Sequence, residues 1–431
     1  MVKDPKYKVT KLKNGLKIVT CDMNYIDTIS IHIIVGVGSW YGTPNNNNYA
    51  HYVEHIVASE IIENIVSKDI LLYNYNASTY NEKTEYYINT VNSDFNLVLN
   101  KVLNIFYRVL NNYKINKKIF ERERGIIIQE HVNDLLDDDN NILEGLLKFI
   151  FPKSYLIASD NDNIKITKKV KIEILEKFIK EYYIPNNIII SIAGNLKNES
   201  KIIKTIKNKF DKINFQEIPK LKEIPLKHNF KLNNLKFPKF QSESKIIITF
   251  YLEDVKLLTE KERFTLDIIT RLINLPIGHT EIFSLTYQLR TEEKIVYNVD
   301  VSASLNKYSV FMISTEGIKN NNLKKALNVI FSVIKYFKKN KINKDKLKKY
   351  IYDQSKLDES YSKRFINSSF YADYYANLVF HDEKNYLGKD LTYLKKVTTD
   401  DIKDFCNKYF TEERCKIFII GNEKINYKPN F

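Results

Sequence analysis

The chain has 431 residues, 44% of them hydrophobic and 13% aromatic, and a formal charge of +15. That length exceeds what one hydrophobic core ordinarily organises, so two domains of common size are expected. The apolar content excludes a disordered chain, no apolar run approaches membrane-spanning length, and three scattered cysteines, Cys21, Cys406 and Cys415, exclude a disulfide framework or a cysteine-held metal.

In chain order, Met1-Val2-Lys3-Asp4-Pro5-Lys6 lacks the apolar core of a secretory signal and the Arg/Ser-rich pattern of a transit peptide. With the sparse cysteines, this leads us to expect an intracellular, reducing compartment, most simply the cytoplasm. Asn14-Gly15 between the β-like runs Tyr7–Lys13 and Leu16–Cys21 predicts a two-residue hairpin turn, whose central positions both need positive φ. Thr28–Gly36 reads as the next strand. Periodicity predicts helices over Asn48–Ser67, Asp94–Asn111, Asn116–Leu136 and Lys171–Tyr183, with strands near Tyr73–Ser78 and Glu82–Val91. Residues 213–237, with Pro219, Pro225 and Pro238 in or beside them, read as a connection, after which a second half runs from Glu243 to about Asn422.

The chain repeats itself. Phe178-Ile179-Lys180-Glu181-Tyr182-Tyr183 followed by Ile190-Ser191-Ile192-Ala193-Gly194-Asn195 recurs as Phe405-Cys406-Asn407-Lys408-Tyr409-Phe410 followed by Ile417-Phe418-Ile419-Ile420-Gly421-Asn422. Lys114-Ile115-Asn116-Lys117 and Lys341-Ile342-Asn343-Lys344 are related by the same offset. Lys/Asn/Ile-rich composition inflates such matches, but the order of elements agrees as well. Two homologous halves are therefore expected, with boundaries 1–212, 213–237 and 238–431 for first domain, linker and second domain.

The chemistry concentrates in His51-Tyr52-Val53-Glu54-His55. On a helix, positions i, i+3 and i+4 share a face, so two imidazoles can reach one Zn²⁺ while Glu54 holds the attacking water. A catalytic zinc wants a third protein ligand and an open position. In Phe120-Glu121-Arg122-Glu123-Arg124-Gly125-Ile126-Ile127-Ile128-Gln129-Glu130, Glu123 and Glu130 lie two turns apart on one face, and either can ligate while the other orients. His131 competes from a different face. Taken singly, charged residues flanking an apolar stretch are ordinarily a solvated surface.

The combination resembles the pitrilysin/insulinase family of inverted-motif zinc peptidases, in size closest to short-chain members such as the mitochondrial processing peptidase subunits. The resemblance runs through Leu12-Lys13-Asn14-Gly15-Leu16-Lys17-Ile18, Val35-Gly36-Val37-Gly38-Ser39, Ala50 to His55, Asn76-Ala77-Ser78-Thr79, Glu85-Tyr86-Tyr87, Glu123 to Glu130, and Leu289-Arg290 with Tyr297. It implies an α+β fold of two halves, each a mainly antiparallel sheet packed against helices. It also implies that His51, His55 and Glu130 ligate zinc, one ion per chain, that Glu54 is the general base and that Glu123 supports the site. Arg290 and Tyr297 would grip substrate backbone and steady the transition state. The chain departs from the family pattern at Ala58-Ser59-Glu60, where a Phe and a Lys-Gly-Thr-like turn are usual, and at Pro276-Ile277-Gly278-His279, where a glycine-rich run is common. These differences bear on the pocket rather than on the metal.

The expected activity is thus zinc-dependent endopeptidase action on peptides or unfolded segments bound as an extended strand beside Asn76 and Ala77. A homodimer, or a heterodimer with a related subunit, is the expected assembly. Two other classes compete: a non-catalytic assembly subunit of the same fold, and a nucleic-acid-binding protein, for which the basic charge is support but no motif is present.

Overall fold

The computed structural model describes residues 4–42, 48–65, 72–151, 159–221, 229–237, 242–275, 283–362, 367–387 and 390–431. In chain order the first half holds β1 (Tyr7–Lys11), β2 (Lys17–Asp22), β3 (Thr28–Val35), α1 (Tyr49–Ile65), β4 (Leu72–Thr79), β5 (Thr84–Val91), α2 (Phe95–Leu110), α3 (Lys117–Leu136), α4 (Asp138–Ile150), α5 (Asp160–Lys169), α6 (Ile172–Tyr182), β6 (Ile188–Gly194) and α7 (Glu199–Phe210). The second holds β7 (Lys231–Leu235), β8 (Glu243–Tyr251), α8 (Glu260–Ile273), β9 (Asn298–Ser304), β10 (Val310–Lys319), α9 (Leu323–Lys339), α10 (Lys344–Ser362), α11 (Ser368–His381), α12 (Asp390–Leu394), α13 (Thr399–Tyr409) and β11 (Cys415–Ile420). The α+β class is as expected, although each sheet includes one parallel pair, β2–β6 and β7–β11.

Two compact units form, one from residues 1–144, 153–224 and 362–385, the other from 145–152, 225–361 and 386–431. They differ from the sequence boundaries 1–212 and 238–431 because each half contributes one helical segment to the other unit. Lys231–Leu235, inside the stretch read as a linker, is a strand paired with β11.

In the first unit the strand order is β1-β2-β6-β3-β5-β4, with β4 at an edge. Ile29, Ile31 and Ile33 of β3 face the core built with α1, α2 and α6. Alternate residues point to the opposite face, where Ser30 Oγ bonds Ser368 Oγ at 2.7 Å and His32 Nε2 lies 3.2 Å from Ser369 Oγ of α11. Helices on both faces explain why β3 and β6 are buried almost without interruption.

The Asn14-Gly15 turn is not the expected one. Gly15 has φ +89° but Asn14 is not among the residues with positive φ, and the amides of Leu12 and Gly15 close the loop on the carbonyls of Leu16 and Leu12. Only Gly15 therefore needs the left-handed region, as in a longer loop ending in a bulge. Asn14 serves packing instead, its amide donating to the carbonyls of Phe210 and Ile213. Gly38 is required by close approach, since a Cβ there would stand 2.1 Å from the Tyr80 carbonyl oxygen.

In the second unit the order is β7-β11-β8-β10-β9. Cys415, Ile417 and Ile419 face a core with α8, α9 and α13. On the other face Phe418 stacks on Phe149 at 5.6 Å, and the Tyr251 hydroxyl donates to the Ile150 carbonyl. Cys21, Cys406 and Cys415 are free and buried. No described helix is long and apolar enough to cross a membrane.

Lys416 lies on that same face, 1% exposed, its Nζ without a hydrogen bond among the described residues and 5.5 and 5.3 Å from the Phe149 and Tyr251 ring centroids. Burial, with a smaller contribution from Lys231, lowers its pKa to about 8 from 10.5. The folded state thus binds fewer protons than the unfolded chain between these values, and stability rises with pH through that window. Lys416→Met is expected to raise stability near neutral pH by on the order of 1 kcal/mol. Denaturant titrations at pH 7 to 10.5 check this, because the pH slope should flatten in the variant.

Candidate metal centre

Helix α1 carries the whole His51–His55 run. Tyr52, Val53, Ile56 and Val57 are buried and fix one side of the helix in the core. Tyr52 also donates its hydroxyl to the Phe120 carbonyl at 2.7 Å and stacks on the Phe120 ring, which sets α1 against α3. Helix α3 is started by Asn116, whose side chain accepts from the amides of Lys118 and Ile119. Its buried Phe120, Glu123 and Ile127 hold it in place, so Glu123 and Glu130 are delivered to α1 by rigid elements.

The two Nε2 atoms of His51 and His55 stand 3.2 Å apart, and Glu130 Oε2 lies 3.4 Å from His55 Nε2 and 3.8 Å from His51 Nε2. Two ligands of one tetrahedral zinc are separated by roughly 3.3 Å, so these three atoms have the spacing of a ligand set. Two imidazoles and a carboxylate also match the donor chemistry of a catalytic zinc with one position open.

Glu123 does something else. Its Oε1 accepts from Ser59 Oγ at 2.7 Å and from Arg122 Nε at 2.9 Å, while Oε2 lies 3.2 Å from His55 Nδ1. Both its oxygens are engaged, which separates it from Glu130. His131 is engaged as well, Nδ1 with Asp160 at 2.8 Å and Nε2 with the Asn48 amide at 3.1 Å. A further His-carboxylate group, His32 with Glu85 and Asp373, already holds a cation, since Lys83 Nζ pairs with Glu85 at 2.9 Å.

Glu54 is 7% exposed, and Thr79 Oγ1 donates to its Oε2 at 3.2 Å. Burial raises the Glu54 pKa, with His55 and Thr79 acting against that rise. Burial also lowers His51 to about 4. It opposes charge on His55 too, but the carboxylates of Glu130, Glu54 and Glu123 outweigh it and raise that imidazole to about 9. The hydrogen bond from His55 is the main cause of the lowered Glu130 pKa. Three carboxylates gathered against one nearby guanidinium and the His55 imidazole leave a surplus of negative charge that a bound cation would balance.

These groups open into a cleft of about 490 Å³, also lined by Ala58, Ile62, Tyr75, Asn76, Ala77 and Thr79. A larger cavity, of about 720 Å³, lies beside Tyr107, Lys114 and Glu176 and contains none of them, so chemistry rather than volume locates the site. Asn76 and Ala77 sit on the edge strand β4, with Asn76 exposed. Arg290 and Tyr297 belong to the second unit: both are exposed, Tyr297 by 75%, with its amide bonded to the Glu316 carbonyl at 2.8 Å. Pro276–His279 falls outside the described residues. The sequence assigns Ser59, Thr79 and Arg122 no individual role, although Ser59 and Glu63 continue the four-residue spacing of His51 and His55.

Residues 17–152 match the family described as insulinase (peptidase family M16), and residues 169–351 match the peptidase M16 inactive domain. An uncharacterized zinc protease of Rickettsia bellii is 28% identical over 215 residues, 48% of this chain and 50% of that protein. The mitochondrial-processing peptidase subunit beta of Dictyostelium discoideum is 25% identical over 222 residues, 50% of this chain and 46% of that one. The matched stretch thus spans about half the length of these curated relatives. Among solved structures, a protease from Helicobacter pylori is similar with a TM-score of 0.77 at 19% identity, covering 97% of this chain and 100% of that one. The periplasmic protease PqqL from Escherichia coli gives 0.79 at 17% identity, covering 98% of this chain and 48% of that one. At such identities the structures speak for the fold.

Proposed function

Because the chain belongs to the insulinase family of peptidases, family M16, we propose that it is a zinc-dependent endopeptidase acting on peptides or unfolded segments. The observation that carries this reading is the convergence of His51 Nε2, His55 Nε2 and Glu130 Oε2 beside the buried Glu54. The match to an inactive domain covers residues 169–351, whereas all four of these residues lie within 17–152. That favours a catalytic chain over an assembly subunit.

His51, His55 and Glu130 would hold the zinc, and Glu123 would orient His55. When bound, the metal supplies Lewis-acid polarisation of the scissile carbonyl and acidifies the attacking water. Glu54 takes the proton of that water and passes it to the leaving amine, its carboxylate oriented by Thr79. Arg290 and Tyr297 donate hydrogen bonds to the developing oxyanion or to substrate backbone. A peptide segment adds beside the edge strand β4 near Asn76 and Ala77, where backbone pairing gives affinity with loose sequence preference. The relatives named as beta subunits support assembly with a second chain, either a copy or a related partner.

The test combines zinc analysis with hydrolysis of a quenched peptide, with and without a chelator. We expect zinc near one equivalent per chain, and activity that the chelator removes and added zinc restores. His51→Ala, His55→Ala and Glu130→Gln should each lose most of the metal. Full hydrolysis in metal-free protein would refute the reading.

A further inference from the structure

We propose that Ser59 and Arg122 are positioning residues that set the zinc affinity of the site through Glu123, an inference that rests on the zinc reading above. Glu123 is 4% exposed and lies between three donors. Ser59 Oγ and Arg122 Nε hold Oε1 at 2.7 and 2.9 Å, and His55 Nδ1 meets Oε2 at 3.2 Å. A carboxylate fixed in this way accepts Nδ1–H, which selects the tautomer of His55 whose Nε2 keeps its lone pair. That Nε2 is the atom that faces His51 and Glu130.

Arg122 is itself anchored. Its other arm donates to Glu63 Oε1 at 2.6 Å. His51, His55, Ser59 and Glu63 recur every four residues on α1, so a single stripe of that helix supplies two imidazoles, the hydroxyl that grips Glu123 and the carboxylate that aims the guanidinium. Ser59 lies in Ala58-Ser59-Glu60, where the chain departs from the family pattern, and its hydroxyl gives that departure a local purpose.

Each part has a separate consequence. Without Ser59, one donor to a buried carboxylate oxygen is lost and Glu123 can turn away from His55. Without Arg122, Glu123 loses a donor to Oε1 and its counter-charge, so it is free to turn from His55 toward the cleft that it shares with Glu54 and Glu130. Outer partners of this kind change metal affinity about 10–100-fold when removed.

The experiment measures the zinc affinity of the full chain by competition with a chromophoric chelator, together with thermal unfolding of the metal-free protein. The variants are Ser59→Ala, Ser59→Thr, Arg122→Gln and Glu130→Gln. Ser59→Ala and Arg122→Gln should each bind zinc about 10–100-fold more weakly, Ser59→Thr should stay near wild type because it keeps the hydroxyl, and the metal-free Tm values should agree within about 2 °C. Unchanged affinity in Ser59→Ala and Arg122→Gln, with zinc lost from Glu130→Gln, overturns the proposal and leaves the site reading standing. Weaker zinc binding that tracks a fall in metal-free Tm also overturns it, as the two residues then only stitch α1 to α3. Wild-type zinc affinity in Glu130→Gln overturns the site reading itself.

Discussion

Glu54→Gln is expected to retain zinc like the wild type and to hydrolyse peptide roughly 10²–10⁴-fold more slowly, the range that general base catalysis supplies. The carboxylate of Glu54 stands outside the group of His51 Nε2, His55 Nε2 and Glu130 Oε2, so an amide in its place removes no ligand. Glutamine preserves the volume of a buried side chain, and its carbonyl oxygen can still accept from Thr79. What it cannot do is take a proton from water. Glu130→Gln should behave in the opposite way and lose the metal, because its oxygen is within 3.8 Å of both imidazole nitrogens. Metal analysis of the purified variants beside their kcat values separates the two roles. Zinc lost from Glu54→Gln and kept by Glu130→Gln would reverse the assignment.

The sequence was most legible where one helix carries the candidate ligands. The spacing of His51, Glu54 and His55 already placed them on a single face, and α1, described over Tyr49–Ile65, lies inside the expected Asn48–Ser67. Glu123 and Glu130 were equivalent by spacing, since a two-turn separation cannot say which carboxylate meets the nitrogens. Ser59 and Arg122 distinguish them, by occupying one of the two carboxylates.

The fold was less legible where an element's partner lies far away in sequence. Helix α11 joins the first unit, and only part of the local sign of this was present: β6 is largely apolar on both faces and so needs cover on both, whereas the covered outer face of β3 is mostly polar, Thr28, Ser30 and His32. Helix α5, Asp-Asn-Asp-Asn-Ile-Lys-Ile-Thr-Lys-Lys over Asp160–Lys169, shows no apolar stripe and is held by its Ser159 cap and by contact with α3, neither of which periodicity reveals. Helix α7 does carry a stripe, Ile202, Ile206 and Phe210, and was within reach of the same reading.

Arg290→Ala is expected to keep its zinc and lose about 10²–10³-fold in turnover, the scale for removing one donor to a developing oxyanion. The guanidinium makes no hydrogen bond or ion pair to another described residue and is exposed on the unit that lacks the His51–His55–Glu130 group, as a residue kept for substrate would be. Where it acts is a separate question. The assembly with a second chain proposed above makes that question testable. If Arg290 serves the zinc of the other chain, inactive Glu54→Gln and inactive Arg290→Ala proteins, dissociated and reassociated together, form mixed dimers in which one site has wild-type Glu54 and wild-type Arg290. Random mixing should then return about a quarter of wild-type activity. If Arg290 serves its own chain, every site carries a lesion and nothing returns, and a monomer fully active at nanomolar concentration would likewise refute assembly in trans.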